Sequence, residues 1–309
     1  MPCPAAPERN GPAGEAVVLA DRPDGTVVRV GPIVSKAHAP GTDRAALTAR
    51  LRVAAHPRLT GVLLPPLPVS GDGGLTDVLH DGRPASLWPL GAPVAPDDPD
   101  AAPWEEAAAL LARLHSVPLS ALPGPLPPMR GPAKVARAAA RLRAVVPSPA
   151  GETVLRAWAR LPAWSRDEAT PPPCERLCHG DLHLGQLVRH PVPDGPWLLI
   201  DVDDLGFGDP AWDLARPAAW YASGLLPPDT WQRFLAAYRS HAGPALRTEG
   251  DPWPQLDIPA RALTVQSAAL ALVRADTERR APDEVEQALV DACARIVQLP
   301  SDVPGDRAS

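Results

Sequence analysis

Between Cys178 and Pro217 the chain reads CHGDLHLGQLVRHPVPDGPWLLIDVDDLGFGDPAWDLARP. Two short strand-like segments, LVRH (187–190) and WLLID (197–201), flank the turn-rich segment PVPDGP. That spacing predicts a hairpin. Folding there brings Gln186 up to Asp201, with Asp181 projecting beside them. A carboxylate and an amide oxygen at one point suit Mg²⁺, which takes hard oxygen ligands, keeps several waters and completes its shell from phosphates. A second, separate carboxylate is what phosphoryl transfer needs to accept or orient the proton of an attacking hydroxyl. The segment therefore requires the rest of the chain to supply a nucleotide shelf.

Residues 15–90 have the pattern of such a shelf. AVVLA (16–20) and TVVRV (26–30) are β-branched runs separated by the turn DRPDG, and IVSKAHA (33–39) reads as a third strand. Lys36 on that strand is one of only two lysines, with Lys134, among 30 basic residues. A compact ammonium suits a point contact to the α/β-phosphates of a nucleotide. TDRAALTARLRVAA (42–55) is a helix that Thr42 or Asp43 can cap. GVLLPPLPVS and ASLWPL are extended. DRPDGT, where a phosphate-covering loop would lie, has one glycine and is a weak signal of its own.

Beyond residue 95 the pattern turns helical. Helices are expected over 104–117, 132–146, 209–223, 229–241, 257–280 and 282–298, with Asp209 as N-cap and Pro210 at N1 of the third. The organisation is a tail at 1–14, a β-rich lobe at 15–90, a proline-punctuated joint opening a helical lobe at 91–300, and a tail at 301–309.

A net charge of −6 and a pI near 5.7 argue against nucleic acid as partner, and are weakly compatible with a cationic acceptor. No signal peptide is visible, and no run approaches the roughly 18 apolar residues of a membrane helix. The expectation is a cytoplasmic protein with reduced thiols. Cys174, Cys178, His179 and His183 have poor zinc spacing. His183 reads as a packing or solvated histidine, and the tryptophans as core. Asp203 and Asp204 could serve a second metal or be exposed turn acids, and Asp213 can bond back to the loop at Asp181.

HGDLHLGQ (179–186) with LIDVDDLGFGDPAWDLARP (199–217) resembles the aminoglycoside phosphotransferase family, which has a protein-kinase-like fold. The resemblance extends to TVVRVGPIVSKAHAPG, SLWPL and WEEAAALLARLHSVP, and so spans most of the chain. It implies an α+β, two-lobed structure with a small antiparallel N-lobe and a larger helical C-lobe. ATP would lie between the lobes near Lys36 and a hinge at Leu87, Trp88 and Leu90. Asp181 would be the catalytic base, His179 the residue that orients its loop, and Asp201 the principal Mg²⁺ ligand.

The chain departs from the family pattern at two places. Gln186 stands where Asn is usual, as in maltokinase-like motifs, although GDP-x-x-DLA is kept and Val202 replaces the Trp common in that branch. No Glu occurs between Ala16 and Trp104 to pair with Lys36, so either Asp43 substitutes or Lys36 is held another way. The function implied is phosphorylation of a hydroxyl on a small molecule (aminoglycoside-like, sugar or amino alcohol). The alternative is a nucleotide-binding pseudokinase that regulates a partner, with the missing Glu and Gln186 in its favour and the intact Asp181 and Asp201 against it.

Overall fold

The computed structural model describes residues 15–22, 25–69, 71, 73–95 and 101–300. The expected terminal tails lie outside these residues, as do Pro23 and Asp24 of the first turn.

Strands β1 (Ala16–Arg22), β2 (Gly25–Val30) and β3 (Ile33–His38) form where the β-branched runs lie. They continue into β5 (Pro84–Pro89) and the short β4 (Asp77–Val78), giving an antiparallel sheet of order β1-β2-β3-β5-β4. The register sets Lys36 opposite Val27 on one side and Ser86 on the other. Helix α1 (Arg44–Ala54) is capped by Asp43, whose side chain accepts the N–H groups of Ala45 and Ala46, and it buries Leu47 and Leu51. The prolines at 65, 66 and 68 leave 61–69 with single bridges at Leu63 and Leu67 and no strand, because proline cannot donate to a ladder.

The larger lobe holds α2 (Trp104–His115), α3 (Gly131–Arg143), α4 (Pro149–Ala159), α5 (Ala211–Ala222), α6 (Pro228–Ser240), α7 (Trp253–Thr277) and α8 (Glu284–Gln298). Between α4 and α5 lie β7 (Arg176–Cys178), β8 (Leu187–Arg189), β9 (Trp197–Leu199) and β10 (Gly206–Gly208). β7 pairs with β10, and β8 joins both β9 and β6 (Ala92–Pro93). The predicted hairpin is present, with Leu187 opposite Leu199 and Arg189 opposite Trp197.

Three helix features differ from the expectations. α4 was not anticipated: its prolines and glycine hide a start that Ser148 makes by accepting the Gly151 N–H, with Pro149 following. α5 begins at Ala211, so Pro210 takes the cap position and Asp209 contributes by accepting the Ala211 N–H at 2.9 Å. α7 starts at Trp253 and runs through Pro259.

α7 is long and apolar enough to cross a membrane by length and composition, which a count of consecutive apolar residues does not register. Its apolar side chains, among them Leu256, Val265, Ala268 and Ala269, are buried in the core shared with α2, α5 and α6. Trp104 meets Trp220 and Phe234 edge-on there, and Tyr221 stacks on Trp231. These tryptophans are packing residues.

Candidate active site

The loop after β7 is held from below. Asp213, in the first turn of α5, accepts the backbone N–H of His179 at 2.6 Å and of Gly180 at 2.7 Å. It also bonds His115 Nε2 at 2.9 Å, and the other His115 nitrogen reaches Tyr238 Oη at 2.8 Å. Burial opposes the Asp213 carboxylate, but His115 and the loop amides outweigh it and hold its pKa below the usual range. Gly180 has φ +83°, and a Cβ there would overlap the backbone of Asp204, so a glycine is required. His179 Nε2 donates to the Ile200 carbonyl at 2.8 Å, which ties this loop to the residue before Asp201.

Asp181 is clamped by two cations. Lys134 Nζ lies 2.6 Å from Oδ2 and Arg216 Nη2 2.8 Å from Oδ1. Arg216 also donates to the Leu182 carbonyl at 3.1 Å, which fixes its guanidinium. Burial would raise the Asp181 pKa; Lys134 and Arg216 reverse this and hold the carboxyl well below the ordinary range. Lys134 continues to Asp204 Oδ2 at 2.7 Å, and Arg130 Nε reaches Asp204 Oδ1 at 2.5 Å. His183 is pushed down to about 4 by burial and neighbouring cations, against the pull of Asp181, so it is uncharged at neutral pH.

Lys36 meets the second carboxylate group. Its Nζ lies 2.7 Å from Asp201 Oδ1 and 3.0 Å from Asp203 Oδ2. Burial opposes the ammonium, and the two aspartates outweigh it and raise its pKa. The acidic partners of Lys36 in this structure are therefore Asp201 and Asp203. Asp43 is not one of them: it caps α1 and borders the cavity without pairing with Lys36. Behind Asp203 runs a buried relay. His38 Nδ1 bonds its carboxylate at 3.1 Å, His38 Nε2 meets Ser86 Oγ at 2.8 Å, and Trp88 Nε1 donates to Ser86 Oγ at 2.9 Å.

Gln186, itself buried, places Nε2 3.4 Å from Asp201 Oδ2, as the hairpin predicts. Asp201 has φ 62°, in the left-handed region that aspartate enters more readily than most non-glycine residues.

Lys36, Asp43, Asp181, Asp201 and Asp203 line one cavity of about 860 Å³ between the lobes. Leu87, Trp88 and Leu90 are not among its lining residues. The Leu87 carbonyl accepts from Leu67, the Leu90 N–H donates to Pro32, and the Leu90 carbonyl is met by His190.

Among the described residues, no three His, Cys, Asp or Glu side chains form a metal cage. Asp201, Asp203 and Gln186 nonetheless fit Mg²⁺, which commonly takes one or two carboxylates and completes its shell with water and phosphate. That the same two aspartates already share the Lys36 ammonium shows them arranged to hold positive charge.

Lys134, Arg216, Arg130 and His38 join the site without having been expected there. For Lys134 the signal was scarcity, since both lysines of the chain fall on the site's carboxylates. For His38 it was the two-residue spacing from Lys36, which puts both on one face of β3.

A strand lysine held by the carboxylates after a hairpin, facing a separately clamped aspartate on the preceding loop, defines a kinase-type phosphotransferase. The model of the phosphotransferase enzyme family matches residues 21–253, and the chain belongs to that family. The match is to the family, not to its Gln-bearing branch in particular.

Solved structures share the fold. A choline/ethanolamine kinase family protein from Mesorhizobium loti is 17% identical, with a TM-score of 0.56 over 94% of this chain and 89% of that one. A thermostable mutant of aminoglycoside phosphotransferase APH(4)-Ia is 15% identical, with a TM-score of 0.60 over 93% and 94%. Macrolide 2'-phosphotransferase MphH from Brachybacterium faecium is 20% identical, with a TM-score of 0.51 over 93% of each chain. Among curated proteins none matches the chain.

Proposed function

We propose that the protein transfers the γ-phosphate of ATP to a hydroxyl of a small molecule. The observation that carries this reading is one cavity bordered by two carboxylate groups, each with its own lysine: Asp181 with Lys134, and Asp201 and Asp203 with Lys36. The thermostable aminoglycoside phosphotransferase, crystallised as a ternary complex with AMP-PNP and hygromycin B, supports a nucleotide and a small acceptor side by side in this fold.

In this reading Lys36 turns from the aspartates to the α/β-phosphates when nucleotide enters. Mg²⁺, when bound, would be held by Asp201, Asp203 and Gln186 and would neutralise charge on the phosphates. Asp181 faces the acceptor. Because its carboxylate is so readily kept ionised, it is a weak base: it orients the hydroxyl and takes the proton late, as a loose transition state allows. Lys134 and Arg216 keep its oxygens aimed, and catalysis is chiefly positioning and charge stabilisation.

The lobe boundary near residue 90 belongs to the same reading. It is supported by β5 ending the large sheet at Pro89 and β6 joining β8 from Ala92. Use of ATP supports a cytoplasmic setting. The pseudokinase alternative loses one of its supports, since Lys36 has an acidic partner in Asp203.

Asp181→Asn tests the assignment. It should keep AMP-PNP affinity and lower acceptor-dependent ADP release by about 10²- to 10⁴-fold. Turnover at the wild-type rate would remove Asp181 from the role.

A further inference from the structure

The chain carries a net charge of −6, yet its central cavity is lined by eight arginine or lysine side chains against five aspartates. The aspartates are already committed: Asp181, Asp201, Asp203 and Asp204 are paired with cations, and Asp43 caps α1. On the wall made by α3 a cationic surplus remains. Arg130, Lys134, Arg137 and Arg141 recur at helical spacing and all border the cavity. α3 and the residue before it contain no acid.

Lys134 and Arg130 are used up on Asp181 and Asp204, whereas among the described residues Arg137 and Arg141 have no hydrogen-bond or ion-pair partner. Like charges four apart on a helix destabilise it. The helix dipole favours a cation at Arg141, in the last turn, but does not account for Arg137.

The position of the stripe says what it would meet. Lys134 touches Asp181, the acceptor-facing carboxylate. Arg137 and Arg141 lie one and two turns further along α3, roughly 5 and 10 Å at 1.5 Å per residue. Gln266 and Leu270 of α7 also line the cavity, and Lys36 belongs to the sheet of the other lobe. An anion bound to Arg137 and Arg141 therefore sits about one small molecule's length from the reacting hydroxyl.

We propose that the acceptor is an anionic hydroxy compound whose carboxylate or phosphate is held by Arg137 and Arg141. The inference rests on the phosphotransferase reading of Asp181. It runs opposite to the cationic acceptor with which the chain's overall acidity is compatible.

The test is calorimetric titration of the full-length protein, first saturated with AMP-PNP and Mg²⁺ so that the nucleotide's phosphate site is filled. The probes are D-gluconate, glucose 6-phosphate, choline and hygromycin B. At least one of the two anions should bind, and bind more tightly than either cation. Arg137→Ala/Arg141→Ala should weaken it about tenfold or more, as loss of charge-assisted contacts does, while Arg137→Lys/Arg141→Lys should retain most of it. Tighter gluconate identifies a carboxylate acceptor, and tighter glucose 6-phosphate a phosphorylated one. The proposal is overturned if neither anion binds, if the alanine variant binds them as the wild type does, or if choline or hygromycin B binds more tightly. Failure of AMP-PNP itself to bind is a separate result, and it removes the parent reading together with this one. Both arginines are exposed and, among the described residues, bond nothing, so the substitutions leave the fold intact.

Discussion

The Lys134 ammonium sits 2.6 Å from the Asp181 carboxylate, on a helix that contains none of the family's motif residues. The carboxylate on which the chemistry is proposed to turn is thus aimed by a residue 47 positions earlier in the chain.

Replacing Lys134 with Met should show this as a pH effect. Wild-type Asp181 is held ionised well below the usual range, so kcat/KM should carry no acid limb from it above about pH 5. Without Lys134, Arg216 is the main group left to oppose burial, the Asp181 pKa rises, and an acid limb should move into view as kcat falls. The stability effect has the same sign. A depressed carboxyl stabilises the fold above its unfolded pKa of about 3.9, and that contribution fades as pH falls through the folded value. The variant should lose about 1–3 kcal/mol at pH 7 and less at pH 3, by urea unfolding at both pH values.

Asp213→Ala should be the most damaging change in the loop's support. It strands the buried His179 amide and His115, and the half-buried Gly180 amide. A loss of about 3–5 kcal/mol is expected by chemical denaturation, and Asp213→Asn, which keeps one acceptor, should lose less.

Gly180→Ala combines a left-handed φ with overlap on the Asp204 backbone. The expected result is near-complete loss of turnover with AMP-PNP binding retained, because the strain falls on the loop that carries Asp181 and not on Lys36.

Gln186→Ala should raise the Mg²⁺ concentration needed for half-maximal nucleotide binding by about tenfold, the usual order for a lost metal-site contact. Gln186→Asn, shorter by roughly one carbon–carbon bond of about 1.5 Å, should give part of that loss. Titration of AMP-PNP at a series of Mg²⁺ concentrations measures both.

The parts of this site set by local chain geometry were readable in advance. The hairpin register follows from a turn between two short strand-like segments, so Gln186 and Asp201 meet as expected. The cap at Asp43 and the reach of Asp213 back to the loop follow from motif spacing. What could not be read depends on how helices and lobes pack. Lys36 and Asp201 are 165 residues apart, and no local pattern says that Asp203 completes the pair. α3 looks like any basic amphipathic helix until α7 and the loop at Asp181 close against it. The hinge expectation placed Leu87, Trp88 and Leu90 at the nucleotide, whereas packing turns the Trp88 indole onto Ser86 and leaves all three outside the cavity lining.

The central claim is a metal-dependent nucleotide site built on Asp201 beside Lys36. Titration calorimetry with ATP and Mg²⁺, on wild type and on Asp201→Ala, tests it most directly. Saturable binding that requires Mg²⁺ in the wild type and is lost in the variant is expected. Equal binding by the two proteins, or none by the wild type, would contradict it.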